Sequence, residues 1–399
     1  MQLIEKSKPC LLILGGSHSD IPIIKAAKSL GFYVITTGNR KSDLGHAYSD
    51  HYVPADYSDA DEIHEIARNY SVSSICPCCN DFAAISASEV ATRLGLPGHD
   101  RPEIARIIHH KDRWREFANH HLIPSPRAFG ISDIEELKWL SDSFEFPLLV
   151  KPVDLTGGKG IETVNSYVQA ELAIKRALEV SKEKRVVIEE YIEGTKHGFS
   201  AFLRNQTVAF WFVDNEQYHI SPYLVAGAST PSLVSAESVG ILINICELVA
   251  RILGLVDGIF HVQFIERCPG DPIIIEICRR PPGDLYVELV RYASGAPYSE
   301  WIIESFSGYN LDHIVQMPAR KAISRHCLMA DKAGILTGYE YRGLNNIRLL
   351  DGMVWGLPGD EIYDPAIQKL GILLLDYSLA SEEERRAISM QQIFHCRVT

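Results

Sequence analysis

The chain has 399 residues, 46% of them hydrophobic and 23% charged, with a formal net charge of −12. That length supports two or three packed units around a large buried core, and the balance excludes wholesale disorder. The acidic surplus argues against a protein that coats nucleic acid or an anionic membrane, and no stretch approaches the roughly 20 apolar residues of a membrane helix.

Residues 10–102 alternate strand and helix signals. The apolar run 10–14 ends in Gly15-Gly16-Ser17, and Ser17, Ser19 and Asp20 are N-cap candidates for a helix reaching residue 30. Runs 32–36 and 74–77 follow, with a helix predicted over 62–70 between them, opened by Asp59-Ala60-Asp61. Strands separated by helices of this length predict βαβ units and a parallel sheet. The turn Gly-Gly-Ser-His-Ser-Asp is not G-x-G-x-x-G, so a nicotinamide-dependent oxidoreductase has little support. Cys76, Cys78 and Cys79 lack a second Cys or His pair at zinc spacing. The run 11–14 is too short for a signal-peptide core. Nine scattered cysteines read as reduced thiols, so a cytoplasmic location is expected.

After Leu96-Pro97-Gly98 a charged amphipathic helix is predicted over 102–121. A strand over 146–150 then leads into Lys151-Pro152 and the glycine-dense stretch 154–160. A helix over 168–181 and a strand over 185–190 come next. Runs 198–203 and 207–213 predict an antiparallel sheet. A helix over 239–253 precedes strands over 258–266 and 272–277. From about residue 313, short β runs and turns predict a small β-rich lobe.

Four features carry chemistry together. Lys151 follows a strand. A glycine loop after it can fold backbone N–H groups over phosphate oxygens. The strand containing Glu189, Glu190, Tyr191 and Ile192 offers carboxylates and edge backbone groups to a nucleoside. Two strands bear Gln263 and Glu276 and end in Arg279-Arg280: oxygen ligands suit Mg²⁺, and an arginine fork suits a phosphoryl group. Glu276 sits badly in an apolar strand unless it is paired or metal-bound.

Taken in order, these features resemble the ATP-grasp superfamily over roughly residues 10–310. The Asn80-Asp81 turn, Gly95-Leu96-Pro97-Gly98 and Lys111-Asp112-Arg113 look like that family's pre-grasp domain and entry helix. The block from His261-Val262-Gln263-Phe264 to Ile275-Glu276-Ile277-Cys278-Arg279-Arg280 resembles the metal block of carbamoyl phosphate synthetase and biotin carboxylase. The resemblance implies an α/β fold: a parallel-sheet pre-grasp domain (1–103), an ATP-grasp domain (104–312, with a lid sub-domain about 148–215) and a β-rich C-terminal lobe (313–399). It implies ATP and Mg²⁺ as cofactors, with Mn²⁺ as a substitute. Lys111 and Lys151 would contact the phosphates, and Thr156, Gly157, Gly158 and Gly160 would close over them. Glu189, Glu190, Tyr191 and Ile192 would meet the nucleoside, and His197 the ribose. Gln263 and Glu276 would hold metal, with Cys278 a doubtful third ligand because the family usually has asparagine there. Arg280, with Arg279, would act on the phosphoryl group. Lys196 stands where the family usually has an acidic residue.

The implied activity is a carboxylate–amine ligase that activates a small carboxylate as an acyl phosphate. Its partners would be small molecules, with no nucleic acid or membrane, and the family allows a homodimer. A carboxyphosphate-forming enzyme and a catalytically impaired ATP-binding module are the alternatives. The segment 218–223 is expected to face the open site.

Overall fold

The computed structural model describes residues 8–140, 144–155, 157–342, 346–381 and 393–399. Strand β1 (Cys10–Leu14) is entirely buried, as a continuous apolar run in a parallel sheet must be. Ser17 then forms a capping box with Asp20 around one turn of 3-10 helix, and α1 (Ile21–Ser29) follows. Next come β2 (Tyr33–Gly38), β3 (His51–Pro54), α2 (Ala60–Asn69), β4 (Ser74–Pro77) and α3 (Asp81–Leu94). The four strands form a parallel sheet in the order β3-β2-β1-β4, matching the βαβ reading.

The single helix expected over 102–121 is two, α4 (Pro102–His109) and α5 (Lys111–His120), because His110 takes extended backbone between them. That break makes Lys111 the first residue of α5. β5 (Ala128–Ile131), β6 (Leu148–Pro152), β7 (Glu162–Val164), α6 (Tyr167–Val180) and β8 (Val186–Glu190) then build a small antiparallel sheet, ordered β5-β8-β6-β7, with α6 packed on it.

The remaining elements are β9 (Thr195–Arg204), β10 (Thr207–Tyr218), β11 (Val225–Ser229), α7 (Ala236–Leu253), β12 (Gly258–Glu266), β13 (Pro272–Cys278), α8 (Tyr286–Ser294), α9 (Tyr298–Phe306), β14 (Ile323–Leu328), β15 (Gly334–Tyr341), β16 (Arg348–Val354), β17 (Glu361–Ile362), β18 (Gly371–Asp376) and β19 (Phe394–Val398). An eight-stranded sheet runs β13-β12-β9-β10-β11-β14-β18-β16. It crosses residue 313 without a break, so much of the β-rich tail continues this large sheet; β17-β15-β19 form a separate small sheet.

Alternation along the strands divides the large sheet's two faces. Phe199, Ala201 and Phe260 pack with Leu242 and Val249 of α7. Phe202, Phe210, Ile259 and Ile323 pack instead with Tyr298 and Trp301 of α9 and with Leu11 and Ile13 of the parallel sheet. This second face is apolar at its centre and turns polar toward one end, where the candidate site lies. Among the described residues no helix is long and apolar enough to cross a membrane.

Candidate active site

Residues from the small and large sheets line one cavity of about 390 Å³. On the small-sheet side, Leu149 of β6 is paired with Glu189 of β8, so Lys151, two residues on, is Glu189's diagonal neighbour on the same face. Lys151 Nζ lies 2.5 Å from Glu189 Oε2, and Arg115 Nη2 of α5 lies 2.9 Å from Oε1. Glu189 is completely buried. Burial alone would raise its carboxyl, but Arg115 and Lys151 outweigh burial and hold it below the usual carboxylate range. Burial likewise pulls the Lys151 ammonium down. Glu189, expected at the nucleoside edge, is instead held between two cations and fixes their positions.

Lys111 lines the cavity, and its Nζ donates to Leu155 O at 2.7 Å, tying the start of α5 to the glycine loop. Glu190 accepts from Arg127 N and Nε, both at 2.9 Å, on the rim near Tyr191 and Ile192, which also line the cavity. Gly158 has φ +73°, and a Cβ there would lie 2.5 Å from Tyr223 O. Only glycine lets the loop lie this close to the 218–223 segment, whose Tyr218, Pro222 and Tyr223 line the cavity as expected. Gly157 lines the cavity as well; Gly160 packs on Pro152, outside the lining. Thr156 lies outside the described residues. His197 departs from expectation. It is buried and not among the lining residues, with Nδ1 3.2 Å from Asp214 O, Nε2 2.7 Å from Thr195 Oγ1 and its ring stacked on Phe264.

The opposite wall is a row of register partners. Glu276 pairs with Gln263, Gln263 with Gly198, and Gly198 with Asp214. Two residues along β10, Glu216 pairs with Ala228, which pairs with Arg325. Directly paired residues share a face. The face therefore reads Glu276, Gln263, Asp214, Glu216 and Arg325 across six strands, with Gly198 and Ala228 between them. Gln263 Nε2 and Tyr218 OH donate to the two Glu216 oxygens, each at 2.6 Å, and Tyr286 OH donates to Asp214 Oδ1 at 2.6 Å. Burial, reinforced by the Glu216 charge, pushes the Asp214 carboxyl up to about 8; burial also raises Glu216.

Asp214, Glu216 and Arg325 escaped the sequence reading. The available signal was the period-two pattern Asp214-x-Glu216-x-Tyr218 at the end of an otherwise apolar strand.

The donor chemistry fits a hard divalent cation at Glu276 and Gln263. Their oxygens sit on neighbouring strands, beside the crowded carboxylate Glu216. Cys278 does not fit. Its Sγ is 3.7 Å from Arg280 O, and burial pushes the thiol up to about 12, leaving a neutral soft sulfur. Burial likewise keeps Cys76, Cys78 and Cys79 as thiols.

The paired arginines diverge because consecutive residues leave a strand on opposite sides. Arg280 lines the cavity, its Nε and Nη2 at 2.9 and 3.2 Å from the Asp81 oxygens; Asp81 also contacts His109 Nδ1 at 2.8 Å. Arg279 points away from the cavity. It binds Asp100 at 2.8 Å, Val256 O at 2.6 Å and Ile259 O at 2.5 Å, which corrects its expected catalytic role to that of a clamp.

At the far end of the cavity, Asp284 and Leu285 both have positive φ without being glycine, a strained turn costing on the order of 1–3 kcal/mol per residue. Ser19 Oγ accepts from Asp284 N at 2.8 Å, and Lys369 Nζ lies 2.5 Å from Asp284 Oδ2. Against the penalty of burial, Lys369 and then His18 and Arg325 hold the Asp284 carboxyl far below its usual range. His18 stacks on Trp355 with centroids 4.2 Å apart. The cavity thus joins the loop after β1, the eight-stranded sheet and the loop before β18.

Residues 109–220 match the family described as phosphoribosylglycinamide synthetase, ATP-grasp (A) domain. The chain is 28% identical over 205 residues to a phosphoribosylamine–glycine ligase of Pyrococcus abyssi; the match covers 50% of this chain and 46% of that one, so the chain spans about half the length of this curated relative. The L-amino acid ligase of Bacillus licheniformis superposes with TM-score 0.80 at 15% identity, covering 98% of this chain and 99% of the other. The biotin carboxylase domain of a Hydrogenobacter thermophilus 2-oxoglutarate carboxylase, solved as a dimer with MgADP, ADP and bicarbonate, gives 0.76 at 18% identity, covering 98% and 90%.

Proposed function

We propose that this chain, which has the ATP-grasp fold, is an ATP-dependent carboxylate–amine ligase forming ADP and phosphate. The observation that supports it most is the convergence on one cavity of Lys111, Lys151 and the Gly157-Gly158 loop with Gln263, Glu276 and Arg280. Cations and backbone N–H groups suit ATP phosphates, and catalysis of phosphoryl transfer is mostly positioning and charge neutralisation. Glu276 and Gln263 would hold Mg²⁺, which when bound neutralises charge on the phosphate oxygens.

In the proposed sequence a substrate carboxylate oxygen attacks the γ-phosphorus, forming the C–O–P linkage as the bond to ADP breaks. Arg280, fixed by Asp81, faces the charge that develops there. The amine, having shed its ammonium proton, then attacks the acyl carbon. The C–N bond forms, phosphate leaves, and the second nitrogen proton passes to phosphate or solvent. Acyl phosphates hydrolyse readily, so the glycine loop packed on Tyr223 serves to exclude water. Assembly as a homodimer and a boundary near residue 103 belong to the same proposal; the large sheet continues across residue 312, so no division is proposed there.

Phosphate release from MgATP, measured against a panel of carboxylates, amines and bicarbonate, tests this reading. Release that needs one acid and one amine supports it. Release with bicarbonate alone supports a carboxyphosphate former, the reading favoured by Gln263. ATP binding without release across the panel supports a non-catalytic module.

A further inference from the structure

We propose that the amine substrate is an α-amino acid, its ammonium received by Asp214 and Glu216 and its carboxylate by Arg325. This rests on the ligase reading and names one of its substrates. Along the large-sheet face, the order is Glu276 and Gln263, then Asp214 and Glu216, then Arg325. An ammonium at the middle position faces the phosphate end, and a carboxylate beyond it points away. Glu216 and Arg325 flank Ala228, two strand spacings apart, roughly 9–10 Å between Cα atoms. Both side chains lie on the same face across Ala228 and line the cavity, so their charged ends can meet the two groups of one small zwitterion.

Each cation of this wall has a protein partner, and Arg325 differs in keeping a buried nitrogen without one among the described residues. Lys369 is ion-paired to Asp284, Arg280 to Asp81, and Lys196 donates to Pro222 O at 2.7 Å while lying over the Tyr218 ring. Arg325 is 3% exposed; its Nη1 donates to Asp284 O at 3.1 Å and lies 3.4 Å from the Asp284 carboxylate, while its Nε has no hydrogen-bond partner among the described residues. Asp214 is fully buried, and its Oδ2 likewise has none. A buried polar group with an unpartnered atom is costly, and both residues line the cavity. A simple amine would answer only the carboxylates and a simple acid only the arginine; a molecule carrying both charges on neighbouring atoms answers both.

The test is isothermal titration of the whole chain, saturated with Mg²⁺ and a non-hydrolysable ATP analogue. The titrants are the twenty standard L-amino acids, followed by the des-amino acid and the decarboxylated amine of any that binds. At least one amino acid should bind, with both truncated analogues at least tenfold weaker. Asp214→Asn and Arg325→Gln should each weaken the amino acid at least tenfold while leaving the affinity for the ATP analogue within twofold, which also reports that the variants fold. The proposal is overturned if no amino acid binds at millimolar concentration, or if a truncated analogue binds as tightly as its parent. Because binding is read without turnover, amino-acid binding with no phosphate release would sink the ligase reading alone. Release driven by an amine lacking a carboxylate would sink this inference alone.

Discussion

On the small-sheet wall, Lys151, Glu189, Glu190, Tyr191 and Ile192 come from two neighbouring strands and the loop after one of them, and their grouping is visible as short sequence motifs. The large-sheet wall draws Asp214, Gln263, Glu276 and Arg325 from four strands spread from residue 214 to residue 325, and only strand order and register make them neighbours. On the first wall one carboxylate, Glu189, faces two cations, Lys151 and Arg115, so the wall keeps a positive surplus, and Arg115 Nε and Nη1 have no hydrogen-bond partner among the described residues. The second leaves crowded carboxylates and an incompletely partnered arginine facing a cavity. A wall with a surplus of one sign is preformed for a ligand of the opposite charge, such as a triphosphate. A wall with residual charge of both signs is where substrate identity is set.

The sharpest way to break this contrast is to unbalance the small-sheet wall. Lys151→Met leaves Glu189 buried with Arg115 as its remaining cation. Breaking a buried pair on one side costs about 3–5 kcal/mol. We expect a loss of that order in urea-unfolding free energy together with a large rise in the KM for ATP. A variant that lost ATP affinity at unchanged stability would show that the Glu189 pair does not organise the wall.

On the other wall, Glu276→Ala should leave ATP binding largely intact and lower cognate-substrate phosphate release by about 10²–10³-fold, the scale of removing one preorganised electrostatic contact. Normal turnover would remove Glu276 from the proposed metal site and with it the division of labour between the walls.

Legibility follows the same division. Strands 10–14, 74–77 and 258–266 were readable because their apolar runs have sharp turn boundaries. The loop glycines were readable because their backbone demands are local. Two failures have a common cause. Arg279 and Arg280 look equivalent in sequence, yet strand alternation sends one to the cavity and the other to Asp100. His197 follows the nucleoside strand closely, yet the pleat of β9 buries it against Phe264. Arg325 carries no local signal at all. Its partner across Ala228 lies more than a hundred residues earlier, and nothing short of the sheet order joins them.

A smaller effect separates the core of the large sheet from its polar edge. His326, on β14 next to Arg325, is buried, and its pKa is lowered to about 3, first by desolvation and then by His219 and Arg325. Its folded pKa lies below the unfolded value near 6.5, so protonation favours the unfolded chain. Its contribution is complete above about pH 6.5 and drains away as pH falls toward 3, at about 1.4 kcal/mol per pH unit. Unfolding free energies of His326→Gln and the parent protein, compared between pH 6 and 4, should diverge by that slope. Parallel curves would mean that the ring is solvated in the folded state.

The smallest effect probes the seam where the walls meet. Gly158 takes a left-handed φ of +73° and approaches Tyr223 O so closely that a Cβ would lie 2.5 Å away. Alanine there carries a conformational penalty of about 1–2 kcal/mol before the clash is counted. The clash is with backbone, which cannot swing aside as a side chain would. The loop itself carries little of the core, so the penalty should be relieved by local displacement rather than global unfolding. We therefore expect Gly158→Ala to leave the urea midpoint within error and to raise the KM for ATP about tenfold. Phosphate release without the amine substrate should rise relative to product, because a lifted loop admits water to the acyl phosphate. If coupling between phosphate release and amide formation stayed intact, the loop's contact with Tyr223 would not be what keeps the two walls sealed.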